Sequence, residues 1–130
     1  MRWQLASCFV IIANVFLMSI LFLSGSSMYL SPEMINNSYK FSTDVWSLGV
    51  VFYIMLSGTF PFESATGDVG ETKEIISRGK FTFPPHHWKD VSLQAQDLIC
   101  KMLTLNPEER ITMDDVLSHP WMVNERNKEV

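Results

Sequence analysis

Thr43-Asp44-Val45-Trp46-Ser47-Leu48-Gly49-Val50-Val51-Phe52-Tyr53-Ile54-Met55-Leu56-Ser57-Gly58 is the stretch on which the fold turns. Ser42 or Thr43 can cap a helix here, Asp44 adds an acid to its first turn, and Gly58 stops it after Leu56. Between these ends the residues are apolar on nearly every side, so no face of the helix is suited to water. At roughly thirteen residues the helix is too short for a bilayer, which takes about twenty. It therefore belongs in the middle of a core. On its N-terminal side, Ser31-Pro32-Glu33 has a cap, a proline for the first helical position and a first-turn acid, and Asn36-Asn37-Ser38 breaks the short helix begun there. On its C-terminal side Thr59–Gly70 reads as a loop, Glu71–Arg78 as a short helix stopped by Gly79, and Phe81–Pro85 as extended. Ser92 caps a helix with Leu93, Ala95, Leu98, Ile99, Met102 and Leu103 on one face. Thr112 and Asp115 form a capping pair for a last helix over Met113–Ser118, which His119-Pro120 ends. With no alternating strand pattern, the fold class is all-α.

The 130 residues suffice for one ordinary domain, and 47% hydrophobic against 18% charged residues excludes a disordered chain. Ten basic residues against 14 acidic ones give a net charge of −4, which leaves no footprint for nucleic acid. Cys8 and Cys100 are too few and too far apart for a disulfide framework or a zinc site. Cys100, which falls between Ile99 and Met102 on a helix, is expected to be a buried small hydrophobe. His86-His87 has no further ligands at metal spacing and reads as a surface loop. Residues 1–24 are a different material. Among the nineteen residues of Leu5–Leu23 only Ser7, Asn14 and Ser19 are clearly polar. As a helix they would span roughly 28 Å, close to a hydrocarbon core. Arg2 ahead of the run and Ser24-Gly25-Ser26 behind it suit a signal peptide or a transmembrane signal anchor. Translated non-coding sequence ahead of a truncated reading frame fits the same residues.

Gly25-Ser26-Ser27-Met28-Tyr29-Leu30-Ser31-Pro32-Glu33 resembles the end of a protein-kinase activation segment. Asp44-Val45-Trp46-Ser47-Leu48-Gly49-Val50 resembles the start of the kinase's central helix, Ser57-Gly58-x-x-Pro61-Phe62 the loop after it, and Asn106-Pro107-x-x-Arg110 with His119-Pro120-Trp121 its final helices. Four such strings in order make residues 25–122 similar to part of the large, C-terminal lobe of a Ser/Thr protein kinase, with a polar tail at 123–130. Phe83–Ser92 is similar to the calcium/calmodulin-dependent group and related checkpoint kinases. The resemblance implies a family that phosphorylates protein Ser/Thr with ATP and Mg²⁺. That chemistry needs a Gly-rich loop, a phosphate-pairing lysine, a catalytic Asp, and an Asn and Asp for the metal. No G-x-G-x-x-G, H-R-D or D-F-G occurs in the 130 residues. Catalytic, cofactor-binding and metal-binding residues are thus expected to be absent from this chain, ATP and Mg²⁺ belonging to the intact family, and the chain alone is expected to be inactive. A non-catalytic binding or decoy module, or part of an intact active kinase, are the alternatives.

The resemblance also gives individual residues their expected roles. Glu33 and Arg110 would form a buried ion pair, Asp44 would lack its family partner in the catalytic loop, and Trp46 would anchor the core. Ser26, Ser27, Met28 and Tyr29 match the surface that receives a protein substrate and would be vestigial docking positions. Glu71 and Glu74 are candidates for reading basic substrate residues, or simply a solvated helix face. Val51, Phe52 and Met55 are expected to lie uncovered, with Leu5–Leu23 as one candidate cover. Partners would be protein substrates, the missing kinase half, or a membrane through residues 5–23. The protein would be membrane-associated if residues 1–24 are genuine, and cytoplasmic or nuclear otherwise.

Overall fold

Ser31 places its hydroxyl oxygen 3.3 Å from the Met34 amide and so caps α1, Pro32–Ile35, in the computed structural model, which describes residues 27–128. A single 3-10 turn, Ser27–Tyr29, precedes it. The hydrophobic helix expected over residues 5–23, and Ser26, lie outside the described residues. Among the described residues every regular element is helical, and none is long and apolar enough to cross a membrane.

The apolar stretch forms α2, Phe41–Ser57. It begins slightly earlier than the cap expected at Ser42 or Thr43, because Thr43 Oγ1 accepts from the Lys40 amide at 3.1 Å and makes Lys40 the boundary. It ends as expected at Gly58, whose left-handed φ of 74° lets its N–H reach the Ile54 carbonyl. Val45, Trp46, Leu48, Val50 and Tyr53 are buried. The expectation of an uncovered face is corrected at two positions: Val51 and Phe52 are each 8% exposed, whereas Met55 is 58% exposed. Phe52 is turned edge-on to Trp121, 6.0 Å between ring centres, so the last helix covers part of that face.

α3, Val69–Arg78, starts before Glu71 because Asp68 Oδ1 accepts from the Glu71 amide at 2.8 Å. Phe81–Pro84 is extended, but Pro85 opens a helical turn, α4, Pro85–Trp88, since a proline fits the first turn of a helix as well as an extended strand. Tyr53, Phe81, Phe83 and Trp88 cluster there, Tyr53 stacked on Phe83 and the other pairs edge-on or tilted, and the Tyr53 hydroxyl donates to the Thr82 carbonyl at 2.7 Å. α5, Leu93–Met102, capped by Ser92, lays Ala95, Leu98, Ile99 and Met102 against α2. Cys100 is exposed, contrary to expectation: the helical turn that points Ile99 inward carries the next residue about 100° away.

α6, Met113–Ser118, is capped by Thr112. His119-Pro120 then starts a further helix, α7, Pro120–Asn127, which takes in the first part of the segment expected to be a polar tail. His119 joins the elements. Its Nδ1 accepts from the Trp121 amide at 3.2 Å, so Nε2 carries the proton and donates to Asp97 of α5 at 2.9 Å. Lys101 and His119 together hold the Asp97 carboxyl below its ordinary range.

Candidate functional site

The Ser27–Tyr29 turn lies against α2 and α3. Ser47, a polar residue in the middle of an apolar helix, donates through Oγ to the Tyr29 carbonyl at 2.9 Å. The Tyr29 ring meets Phe60 edge-on at 6.0 Å, and partial burial raises its phenol pKa. Ser27, Met28 and Tyr29 are each half-buried.

Behind the turn sits a guanidinium–carboxylate tie. Arg110 Nη1 donates to Glu33 Oε1 at 2.7 Å and Nη2 to Oε2 at 3.1 Å, with side-chain exposures of 0% and 7%. The remaining donors of Arg110 reach the carbonyls of Ser42, Thr104 and Leu105 at 2.8, 3.0 and 3.4 Å. All five N–H groups of the fork are therefore used. The Thr43 hydroxyl adds a bond to Glu33 Oε1 at 3.0 Å. Desolvation pushes the Glu33 carboxyl upward, but the Arg110 hydrogen bonds and charge, a bond to its own backbone and the Thr43 hydroxyl outweigh it and leave the pKa lowered. The guanidinium also lies 5.0 Å from the centre of the Trp46 ring, and Trp46 stacks on Phe62 at 5.3 Å. One side chain thus joins α1, the start of α2 and the segment after α5.

Asp44 is exposed and accepts from the Tyr39 hydroxyl at 3.0 Å. Glu71 is also spoken for: its Oε2 accepts from both the Ser64 and the Thr66 hydroxyls at 2.6 Å, which lowers its pKa. Glu74 pairs with Arg78 on the same helix. Both acids are engaged within the chain, which weakens their candidacy as readers of basic substrate residues. His86 and His87 lie on the exposed surface of α4, and no group of three or more metal-binding side chains occurs among the described residues. Lys40–Glu108, at 2.6 Å, adds an exposed link beside the buried tie.

Sequence spacing left Ser47, Ser64, Thr66 and Lys40 unread, and read Ser42 only as a cap, not for the carbonyl that Arg110 reaches. Ser47 carried a signal, as the one serine or threonine between Asp44 and Ser57 of α2. Ser42 acts through its backbone carbonyl, Ser64 and Thr66 through short loop contacts, and Lys40 through an ion pair with Glu108, 68 positions away, for none of which sequence has a local pattern.

Residues 19–122 match the family model described as "Protein kinase domain". The chain belongs to the protein kinase domain family. It is 41% identical over 108 residues to the calcium and calcium/calmodulin-dependent serine/threonine-protein kinase of Oryza sativa subsp. japonica, covering 82% of this chain and 20% of that one. Calcium-dependent protein kinase 12 of Arabidopsis thaliana is 42% identical over 104 residues, covering 80% of this chain and 21% of its own. The serine/threonine-protein kinase H1 homolog of Pinctada fucata is 39% identical over 103 residues, covering 77% and 24%. The chain spans a fifth to a quarter of the length of these relatives. Within this kinase-family chain, the arrangement fixes a backbone turn against two helices.

Proposed function

We propose that this chain is the peptide-docking part of a Ser/Thr protein kinase catalytic domain, and that as a 130-residue polypeptide it does not itself transfer phosphate. The observation that carries the reading is the buried Glu33–Arg110 tie, which braces α1 and, through it, the half-buried Ser27–Tyr29 turn. A backbone turn braced in this way and only half-buried is what a polypeptide substrate needs in order to be held at a fixed position. Ser/Thr specificity is supported by the named relatives, all of them serine/threonine or calcium-dependent kinases.

Phosphoryl transfer depends almost wholly on positioning and on neutralising charge at the transferred group. The sequence motifs that supply those functions, the Gly-rich loop and the metal-holding carboxylates, do not occur in these residues. ATP and Mg²⁺ would be held by residues of the domain that this chain does not carry.

The purified chain, titrated with ATP in the presence and absence of Mg²⁺ by calorimetry, should show no saturable heat and no phosphate incorporation into a Ser/Thr peptide. Saturable, Mg²⁺-dependent ATP binding would overturn the inactive reading. The docking reading is tested separately by peptide binding. Tyr29→Ala should weaken association of a Ser/Thr peptide with the chain, and unchanged affinity would remove the turn from the site.

A further inference from the structure

His119 stands at the junction of α5, α6 and α7, and its side chain is only 4% exposed. It closes α6 and caps the start of α7, so one imidazole ring serves three helices. Both ring nitrogens are occupied, in opposite senses. Nδ1 accepts from the Trp121 amide at 3.2 Å, and Nε2–H donates to Asp97 Oδ2 at 2.9 Å. The Trp121 amide belongs to the first turn of α7, where no intrahelical acceptor exists, and it has no other partner among the described residues. This arrangement requires a neutral ring. A histidine that takes up a proton is a donor at both nitrogens. Nδ1–H would then face the Trp121 N–H, donor against donor, and a ring this buried has no water to turn toward.

The other end of the ring responds the opposite way. An imidazolium donates more strongly to a carboxylate than neutral imidazole does. Asp97 stays charged across the range in which histidine titrates, because Lys101, which also reaches its Oδ2 at 2.8 Å, and His119 hold its pKa below the ordinary value. The remaining ionisable groups of the three helices are neutral, face water or are engaged elsewhere. On α5, partial burial and the Asp97 charge raise the Cys100 pKa and keep the thiol protonated. On α6, Asp114 and Asp115 are exposed, and Asp115 accepts from the Thr112 hydroxyl. On α7, Glu125 pairs with Lys128, and Arg126 donates to the Leu117 carbonyl. A proton on His119 therefore breaks one of its bonds and strengthens the other: α5 keeps the ring while α7 loses its cap.

We propose that His119 is a proton-operated catch on α7: the neutral ring holds the helix by its first turn, and the imidazolium keeps Asp97 but lets that turn go. Trp121 sits in this turn and meets Phe52 edge-on, 6.0 Å between ring centres, so opening the catch uncovers part of the apolar face of α2. Farther along, α7 stays attached through the Asn124–Gln94 bond at 3.0 Å and Arg126 on the Leu117 carbonyl. The gain at Asp97 offsets the loss at Trp121, and the catch opens without unfolding the rest. None of these groups takes part in the Ser27–Tyr29 turn.

The test is nuclear magnetic resonance of the isotope-labelled full chain between about pH 7.5 and 5.5, which spans the ordinary histidine range. At the upper end the long-range proton–nitrogen spectrum of His119 should show the Nε2–H tautomer. As His119 titrates, the protection factor of the Trp121 amide should fall about fivefold, the weight of one helix cap, while the Leu98 and Ile99 amides of α5 keep theirs. His119→Asn presents an acceptor at every pH and should hold the Trp121 protection constant. Asp97→Asn removes the offsetting charge and should lower the thermal midpoint on acidification, where the unsubstituted chain stays level. Trp121 protection that ignores the His119 titration, an Nδ1–H tautomer at the upper end, or the same fall in His119→Asn overturns the catch. A parallel loss of protection in α5 overturns the local opening, and a level midpoint in Asp97→Asn overturns the offset.

Discussion

Arg110 illustrates how a single side chain can hold together segments that the chain keeps far apart. Its partner Glu33 lies 77 positions away, and both are almost fully withdrawn from water. Removing one member leaves the other charged, buried and unpaired, at a cost of about 3–5 kcal/mol. Glu33→Gln and Arg110→Met should each lower the urea midpoint sharply, and the double variant should cost less than their sum by about 0.5–3 kcal/mol. Additive losses would mean that the pair is not coupled. Arg110→Lys should recover little, since an ammonium cannot supply the planar fork that reaches Glu33 and three carbonyls. The lowered pKa of Glu33 gives this a pH signature. A depressed native pKa adds stability that is complete above the ordinary glutamate value, about 4.3, and is lost as pH falls through the native value. Stability should therefore drop on the acid side, and Glu33→Gln should flatten that limb in melts recorded across pH. The pair was legible only through family-like strings, because no local periodicity links residues so distant. The Ser64–Thr66–Glu71 knot was not legible at all, since a loop hydroxyl looks the same in sequence whether it faces water or a carboxylate.

At the level of elements, the meeting of α2 and α5 sets the spacing of the core. Gly49 is a point of close approach: a Cβ there would lie 2.8 Å from Met102 Cβ and 3.0 Å from Leu103 Cδ2. Neither helix can yield without losing contacts elsewhere, so Gly49→Ala should destabilise by about 1–3 kcal/mol despite the better helix propensity of alanine. An unchanged thermal midpoint would show that the two helices slide apart freely. Ser92→Ala tests the other end of α5, where the Ala95 amide would lose its acceptor, at a cost of about 1 kcal/mol. Helices with both a cap and an apolar face, such as α2, α5 and α6, could be read from sequence to within a few residues. α4 and α7 were missed for one shared reason. Pro85 and Pro120 read as breaks, yet a proline at the first helical position lacks only an N–H that would have had no partner. Nothing local distinguishes a proline that ends one segment from a proline that begins the next. In α7 the choice is made by His119, which caps the new helix while holding Asp97.

For the whole molecule the decisive matter is whether one core or several loosely joined patches hold it together. The buried cluster includes Trp46 and Tyr53 from α2, Ile76 from α3, Trp88 from α4, Leu98 and Ile99 from α5 and Val116 from α6. Tyr29, Ile35 and Trp121 pack on its edge, so the 3-10 turn, α1 and α7 are fastened to the same mass. Exposed aromatics pull the other way. Phe41 is 93% exposed and Tyr39 and Met55 are also open, which favours self-association rather than loosening inside the core. A continuous core should unfold in one step. In urea, the near-ultraviolet signal of the packed tryptophans and the far-ultraviolet helical signal should therefore disappear together at low protein concentration. Concentration dependence should be confined to light scattering and should diminish in Phe41→Ser. If the tryptophan signal is lost well before the helices, the chain is a collapsed state without fixed packing. The Glu33–Arg110 tie would then have no rigid frame in which to hold the Ser27–Tyr29 turn, and the docking face would exist only while something else orders it.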